Sequence, residues 1–219
     1  KEGYTFSGWS EIPATMPAHD VVITGTFTKG QYKLTYVVDN ETYKVFSYDF
    51  DTPIIPEAAP TKEGYTFSGW SEIPETMPAH DVIITGTFSI NQYTMTFVLN
   101  NGQENVVKTQ DYASELTAPA DPVKTGFTFK GWNPAVPATI PATDMTFTAQ
   151  WERNKYLVTF IVEDTVAKKD SVLYEGTITK PADPVKEGYT FTGWQPEIPE
   201  TMPANDLTFT AQFSINQYT

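Results

Sequence analysis

The chain has 219 residues and a formal net charge of −13, from 27 acidic against 14 basic residues; a polyanion is repelled and finds no cluster of Lys and Arg, which excludes nucleic-acid binding. Cysteine is absent, which excludes disulfides and thiolate metal sites, and no apolar run approaches the roughly 18 residues of a membrane-spanning helix. Seventeen prolines and 13 glycines punctuate segments rich in Tyr, Phe, Thr and Val, which excludes long helices and favours short strands.

The chain opens on Lys-Glu-Gly-Tyr-Thr-Phe-Ser-Gly-Trp (Lys1–Trp9), and related strings begin at Lys62, Lys124 and Lys186, at separations of 61, 62 and 62 residues. Tyr32, Tyr93, Tyr156 and Tyr218 keep step with them, each opening an alternating apolar stretch. Self-similarity at a fixed period marks a tandem array. We expect the second half of one copy at 1–29, complete copies at 30–90, 91–153 and 154–214, and the start of another at 215–219.

Within a copy, the first strand places Tyr32, Leu34, Tyr36 and Val38 on one face, as it does Tyr93, Met95, Phe97 and Leu99, and Tyr156, Val158, Phe160 and Val162. A polar turn follows, for which Asn101-Gly102 is a hairpin signal because both residues tolerate positive φ. The second strand ends on Phe50, Tyr112 or Tyr174. A crossover anchored by Ile54, Leu116 or Ile178 comes next, and its prolines leave room for one helical turn at most. The third strand is the Gly-aromatic-Thr-Phe motif. In it the glycine before Trp70 opens a bulge that returns the indole to the core side. A proline-rich loop leads to a last strand with Val21, Ile23, Gly25 and Phe27 inward, matched by Met145, Phe147, Ala149 and Trp151 and by Leu207, Phe209, Ala211 and Phe213. Its third inward position is always Gly or Ala, and we expect the indole to fill the space left there. Aromatics that each bury roughly 150–250 Å² supply the core of so small a unit.

The Gly-Tyr-Thr-Phe-x-Gly-Trp core, the apolar-x-x-Pro segment before it and the aromatic-ended strand after it resemble the Listeria–Bacteroides repeat, the family of the internalin B-type B repeats of bacterial surface proteins. The resemblance covers the chain four times over. It implies a β-grasp-like unit, a mixed sheet packed by its crossover, and so a mainly β chain (α+β at most) of four-stranded modules strung as extended beads. It also implies a Gram-positive or Bacteroidetes host, an extracellular place between a functional head and the cell surface, and adhesion, host-cell contact or spacing as the role. Signal and anchor are then expected outside this segment, and the chain is expected to be monomeric. No catalytic residue carries over. The compact proline-rich loop departs from the longer, more polar loop of many members.

Candidate chemistry is sparse. His19 and His80 occupy a Pro-Ala-His-Asp turn where other copies carry Thr143 and Asn205, so turn hydrogen bonding explains the position and an imidazole metal ligand does not. Asp20, Asp81, Asp144 and Asp206 precede the last strand; one carboxylate per copy without a converging partner suits an acceptor of backbone N–H bonds rather than glycosidase chemistry. No dense Asp-x-Asp run offers a calcium site. Trp9, Trp70, Trp132 and Trp194 admit two readings, core residues beside a glycine bulge or stacking platforms for a glycan, and they are the candidate ligand-contacting residues. No catalytic, cofactor or metal residue is expected. The sequence therefore points to a non-enzymatic spacer or stalk with an adhesive or host-contact role. The rival is a multivalent module that binds a host or cell-surface protein or glycan through exposed aromatics.

Overall fold

The computed structural model describes residues 1–217; of the further copy expected at 215–219, Tyr218 and Thr219 fall outside them. Among the described residues every regular element is a strand, so the chain is all-β and the crossover holds no helical turn. Proline and positive-φ residues at its start (Asp51, Ala113 and Glu175, with φ of 64°, 59° and 59°) give the reason.

The half copy contributes β1 (Tyr4–Trp9) and β2 (Gly25–Lys29), an antiparallel pair. The first complete copy holds β3 (Gln31–Val38), β4 (Glu41–Asp49), β5 (Tyr65–Phe67), β6 (Val82–Gly86) and β7 (Phe88–Ile90). The second holds β8 (Gln92–Val98), β9 (Val106–Asp111), β10 (Phe127–Asn133) and β11 (Met145–Arg153). The third holds β12 (Lys155–Val162), β13 (Thr165–Leu173), β14 (Tyr189–Gln195) and β15 (Leu207–Ile215).

The chain divides into two compact units. One is Lys1–Tyr93 with Gln110–Ser114 and Ile140–Ala142; the other is Thr94–Thr109, Glu115–Thr139 and the chain from Thr143 onward. In the first, β4-β3-β6 form a three-stranded sheet and β5-β7 a separate pair. The last strand is interrupted at Thr87, where Ser68 Oγ accepts the Thr87 N–H at 3.1 Å and the Asp39 carboxylate accepts the Phe88 N–H at 2.9 Å. In the second, the sheets run β10-β11-β8-β9 and β13-β12-β15-β14. Each is mixed: β8 and β11 pair in parallel with Phe97 opposite Phe147, β12 and β15 with Phe160 opposite Phe209, and β10, β13 and β14 are antiparallel to their neighbours.

Alternation sets the core as expected. Leu34, Tyr36, Ile84, Phe97, Phe147, Val158, Phe160 and Phe209 are at most 1% exposed. Around β2 the pattern departs from it: Ile23 and Phe27, expected inward, are 42% and 48% exposed, and among the described residues only β1 pairs with β2. The turn expectation is also corrected. Tight two-residue turns fall at Asp39-Asn40 and Glu163-Asp164, with all four φ positive. Around Asn101-Gly102 the positive φ values belong to Asn100 and Gly102, and β9 starts only at Val106. Asn101 is taken up instead by its side chain, which accepts the Gln103 N–H at 3.0 Å and donates to the Val123 carbonyl at 3.0 Å.

Candidate functional site

The repeated aromatic motif is where the sequence placed its candidate residues. Gly8, Gly69, Gly131 and Gly193 all have positive φ, between 94° and 136°, a region closed to most side chains. The strand pairing slips between Phe6 and Gly8, between Phe129 and Trp132 and between Phe191 and Gly193. Each bulge puts the tryptophan on the same face as the phenylalanine three residues earlier. Edge-to-face contacts result at 5.1 Å for Phe6–Trp9, 4.8 Å for Phe67–Trp70, 5.3 Å for Phe129–Trp132 and 5.5 Å for Phe191–Trp194.

In the complete copies the indoles are half-buried. Trp70 also meets Tyr36 at 4.8 Å and donates its Nε1–H to the Glu57 carbonyl at 2.9 Å. Trp132 packs on Phe97 at 5.1 Å and Trp194 on Phe160 at 5.0 Å. Among the described rings Trp9 meets only Phe6, and it is 62% exposed. The small residue on the last strand does stand opposite the indole, in the pairs Trp9–Gly25, Trp132–Ala149 and Trp194–Ala211. The space is shared, however: a Cβ on Gly25 would lie 2.8 Å from Phe6 and 3.0 Å from Trp9, and at Gly86 the intruding ring is Phe67.

The aspartates before the last strand act as backbone acceptors. Asp81 takes the Lys33 N–H at 2.8 Å, Asp144 the Thr94 N–H at 2.7 Å and Asp206 the Leu157 N–H at 2.8 Å, each tying the loop end to the first strand. The preceding residue turns onto the carbonyl of its own aspartate: His80 Nδ1 lies 2.9 Å from the Asp81 oxygen, Thr143 Oγ1 3.4 Å from that of Asp144 and Asn205 Nδ2 2.9 Å from that of Asp206. Imidazole, hydroxyl and amide thus do one turn-closing job. Among the described residues no three His, Asp or Glu side chains converge as a metal site, and no helix is long and apolar enough to cross a membrane.

Two further sets of residues escaped the sequence reading. Met77, Ile140 and Met202, inside the polar proline-rich loop, are at most 1% exposed. Their backbones bond to the start of the crossover: Met77 N–H to the Thr52 carbonyl, Ile140 N–H to that of Ser114 and Met202 N–H to that of Gly176, each at 2.9 Å. A large apolar residue recurring four places before the aspartate, with proline directly after it, was the available signal. Lys108 and Lys168 reach from the second strand to the Thr117 and Thr179 carbonyls at 2.6 and 2.7 Å. Lys44 reaches the Glu57 carboxylate at 2.6 Å, and that hydrogen bond holds its ammonium above the usual lysine range.

One open groove, of about 690 Å³, is lined by Ile178, Lys180, Asp183, Phe191, Trp194 and Glu197 among others. The Trp194 Nε1–H is buried beside it without an acceptor among the described residues.

Residues 32–82, 93–154 and 156–212 each match the Listeria-Bacteroides repeat domain. The chain belongs to the Listeria-Bacteroides repeat family. It is similar to internalin H of Listeria monocytogenes, with 33% identity over 69% of this chain and 30% of that protein. It is also similar to a putative membrane protein of Evansella cellulosilytica, at 30% identity over 78% of this chain and 30% of the relative. A putative Gly-rich membrane protein of the same organism is 25% identical over 100% of this chain and 31% of the relative. The chain thus spans under a third of the length of these relatives. Among solved structures, streptococcal high identity repeats in tandem (domains 3-4 of a cell surface protein) align with 18% identity and a TM-score of 0.24, over 56% of this chain and 98% of that one.

Proposed function

We propose that this repeat region is a spacer of a bacterial cell-surface protein, extracellular and monomeric, that carries a head outward and shares in adhesion or host contact without catalysis. The observation that carries the reading is what the recurring residues do. Indoles in the complete copies pack on core rings, aspartates bond backbone N–H groups, and the histidine position serves a turn. What repeats is spent on holding strands together. Membership of a repeat family and similarity to internalin H and to membrane proteins support the surface location.

The working module is one copy, at 30–90, 91–153 and 154–214. A β-grasp-like assignment is supported by the strand order second-first-fourth-third with a parallel central pair, seen in β9-β8-β11-β10 and β13-β12-β15-β14; the crossover differs in lacking a helix. Small-angle scattering of the whole chain tests the spacer reading. A rod is expected, and a compact particle overturns it.

A second reading has one observation in its favour. The groove beside Trp194, with the side chains of Lys180, Asp183 and Glu197, offers a half-exposed ring and polar partners suited to a glycan. A glycan array with the whole chain, repeated with Trp70, Trp132 and Trp194 changed to Ala, decides it. Binding that is absent, or unchanged by the substitutions in folded protein, removes it.

A further inference from the structure

The same small set of residues recurs wherever one copy passes into the next. Gly3, Gly64 and Gly126, which open the aromatic motif, have φ of 73°, 75° and 75°. Each lies against a ring from the following copy: Phe50, Tyr112 and Tyr174, the aromatics just past the end of the second strand. A Cβ built on any of the three glycines would overlap that ring. The ring meets the motif aromatic edge-on as well, at 5.6 Å for Tyr4–Phe50, 6.0 Å for Tyr65–Tyr112 and 5.8 Å for Phe127–Tyr174.

One linker residue joins the two sides. Gly30, Asn91 and Asn154 donate their N–H to the motif glycine's carbonyl at 2.8, 2.9 and 2.9 Å, and their own carbonyls accept the N–H of the ring residue at 2.8 Å in all three places. Where the linker residue is asparagine, its side-chain oxygen also accepts the motif threonine, Thr66 at 2.7 Å and Thr128 at 2.5 Å. Gly188 belongs to the same series, with φ of 77°, the Asn216 N–H on its carbonyl at 2.9 Å and Thr190 on the Asn216 side chain at 2.7 Å. Among the described residues nothing lies within 4 Å of the position its Cβ would take.

A left-handed backbone alone tolerates Asn or Asp. A ring laid on the α-carbon tolerates no side chain at all. We propose that the motif glycine is a docking socket between copies: it accepts a flat aromatic ring from the second-strand end of the neighbouring copy, and the seated ring fixes the orientation of one copy on the next. The single residue between the last strand of one copy and the first of the next keeps the copies close but does not by itself set their orientation. With the ring in place, the junction has the nearest-neighbour coupling of a stacked repeat array. The inference concerns the junction alone and stands whether or not the chain serves as a spacer.

The test uses the whole chain, which lacks cysteine, so two introduced thiols are unique labelling sites. Spin labels on Val107→Cys and Val166→Cys, at exposed positions of β9 and β13, report the distance across the Gly126–Tyr174 junction. A single narrow distance distribution is expected, and it is kept by Tyr174→Phe. Tyr174→Ala is expected to lose it to a broad distribution. Gly126→Ala does the same from the other side without altering the third copy's sequence, so it decides the matter if Tyr174→Ala fails to fold. Gly188→Ala, equal in backbone strain but with no ring to displace, leaves the distribution narrow. A broad distribution in the parent, or a narrow one in Gly126→Ala with its copies folded, overturns the proposal.

Discussion

Phe129 and Trp132 stand three residues apart on one strand, yet their rings meet edge-to-face with centroids 5.3 Å apart. On a regular strand, residues three apart point to opposite faces. Gly131, at φ 104°, supplies the irregularity. Open space surrounds the position where its Cβ would stand, so substitution acts through the backbone alone. Gly131→Ala is expected to cost about 1–3 kcal/mol locally. The measurement is hydrogen exchange of the β10 amides together with Trp132 emission. Faster exchange and a red shift are expected; unchanged values would show that the bulge does not need glycine.

Asp206 offers a test of the loop ties. Its carboxylate accepts the Leu157 N–H at 2.8 Å, and alanine would leave that donor to water. A hydrogen bond to a charged acceptor contributes about 1.5–3 kcal/mol. Asp206→Ala is therefore expected to accelerate exchange of the Leu157 amide by roughly tenfold or more, whereas Asp206→Asn, which keeps an acceptor oxygen, recovers part of the protection. Equal exchange in all three proteins would remove the role assigned to this aspartate.

The repeat period, the inward faces of the first and last strands in the complete copies and the bulge were legible in the sequence, because each depends on neighbours close along the chain; the aspartates were legible as backbone acceptors from their one-per-copy placement, although the N–H groups they take lie 48 to 50 positions away. Leu34 and Tyr36, two apart, share a face by pleat geometry alone. What was not legible depends on partners far along the chain. Gly64 looks like a turn glycine until Tyr112 is seen lying on it, and Met77 reads as part of a polar loop until Thr52 is seen holding its backbone. The expected turns at Asp39-Asn40 and Glu163-Asp164 are tight, whereas Asn101-Gly102 does not close one, and the Asn101 side chain is held by Val123, which lies 22 positions away. The half-burial of Trp70 against the exposure of Trp9 likewise depends on whether a first strand lies alongside.

Charge pairs predict an alkaline weakness. Hydrogen bonds to Glu57 and Glu163 raise Lys44 and Lys186 above the ordinary lysine range. A group whose folded-state pKa is raised contributes fully while both states are protonated and loses that contribution as pH climbs through the raised value. The Lys44→Met, Lys186→Met protein should therefore melt below the parent at neutral pH by a small margin, as exposed pairs do. That margin should vanish in strongly alkaline solution. Thermal melts across that range check it, and a margin independent of pH would show that the lysines act through their hydrocarbon stems.

Met202 and Met16 hold equivalent places in the proline-rich loop, yet one is 0% and the other 78% exposed. The Met202 loop meets the start of a crossover, through the Met202 N–H to Gly176 and the Glu175 N–H to Met202, and among the described residues the Met16 loop has no such backbone bonds. Truncating a buried methionine removes packing and leaves a cavity, at a cost of about 2–5 kcal/mol. Truncating an exposed one costs within about 0.5 kcal/mol. Met202→Ala should thus weaken protection of the β12 and β15 amides in hydrogen exchange, which reads the third copy by itself in a chain of several cooperative units. Met16→Ala should change no amide measurably. If the two substitutions act alike, the methionine is loop composition; if they differ as expected, the proline-rich segment is a core element whose plug requires the crossover of its own copy.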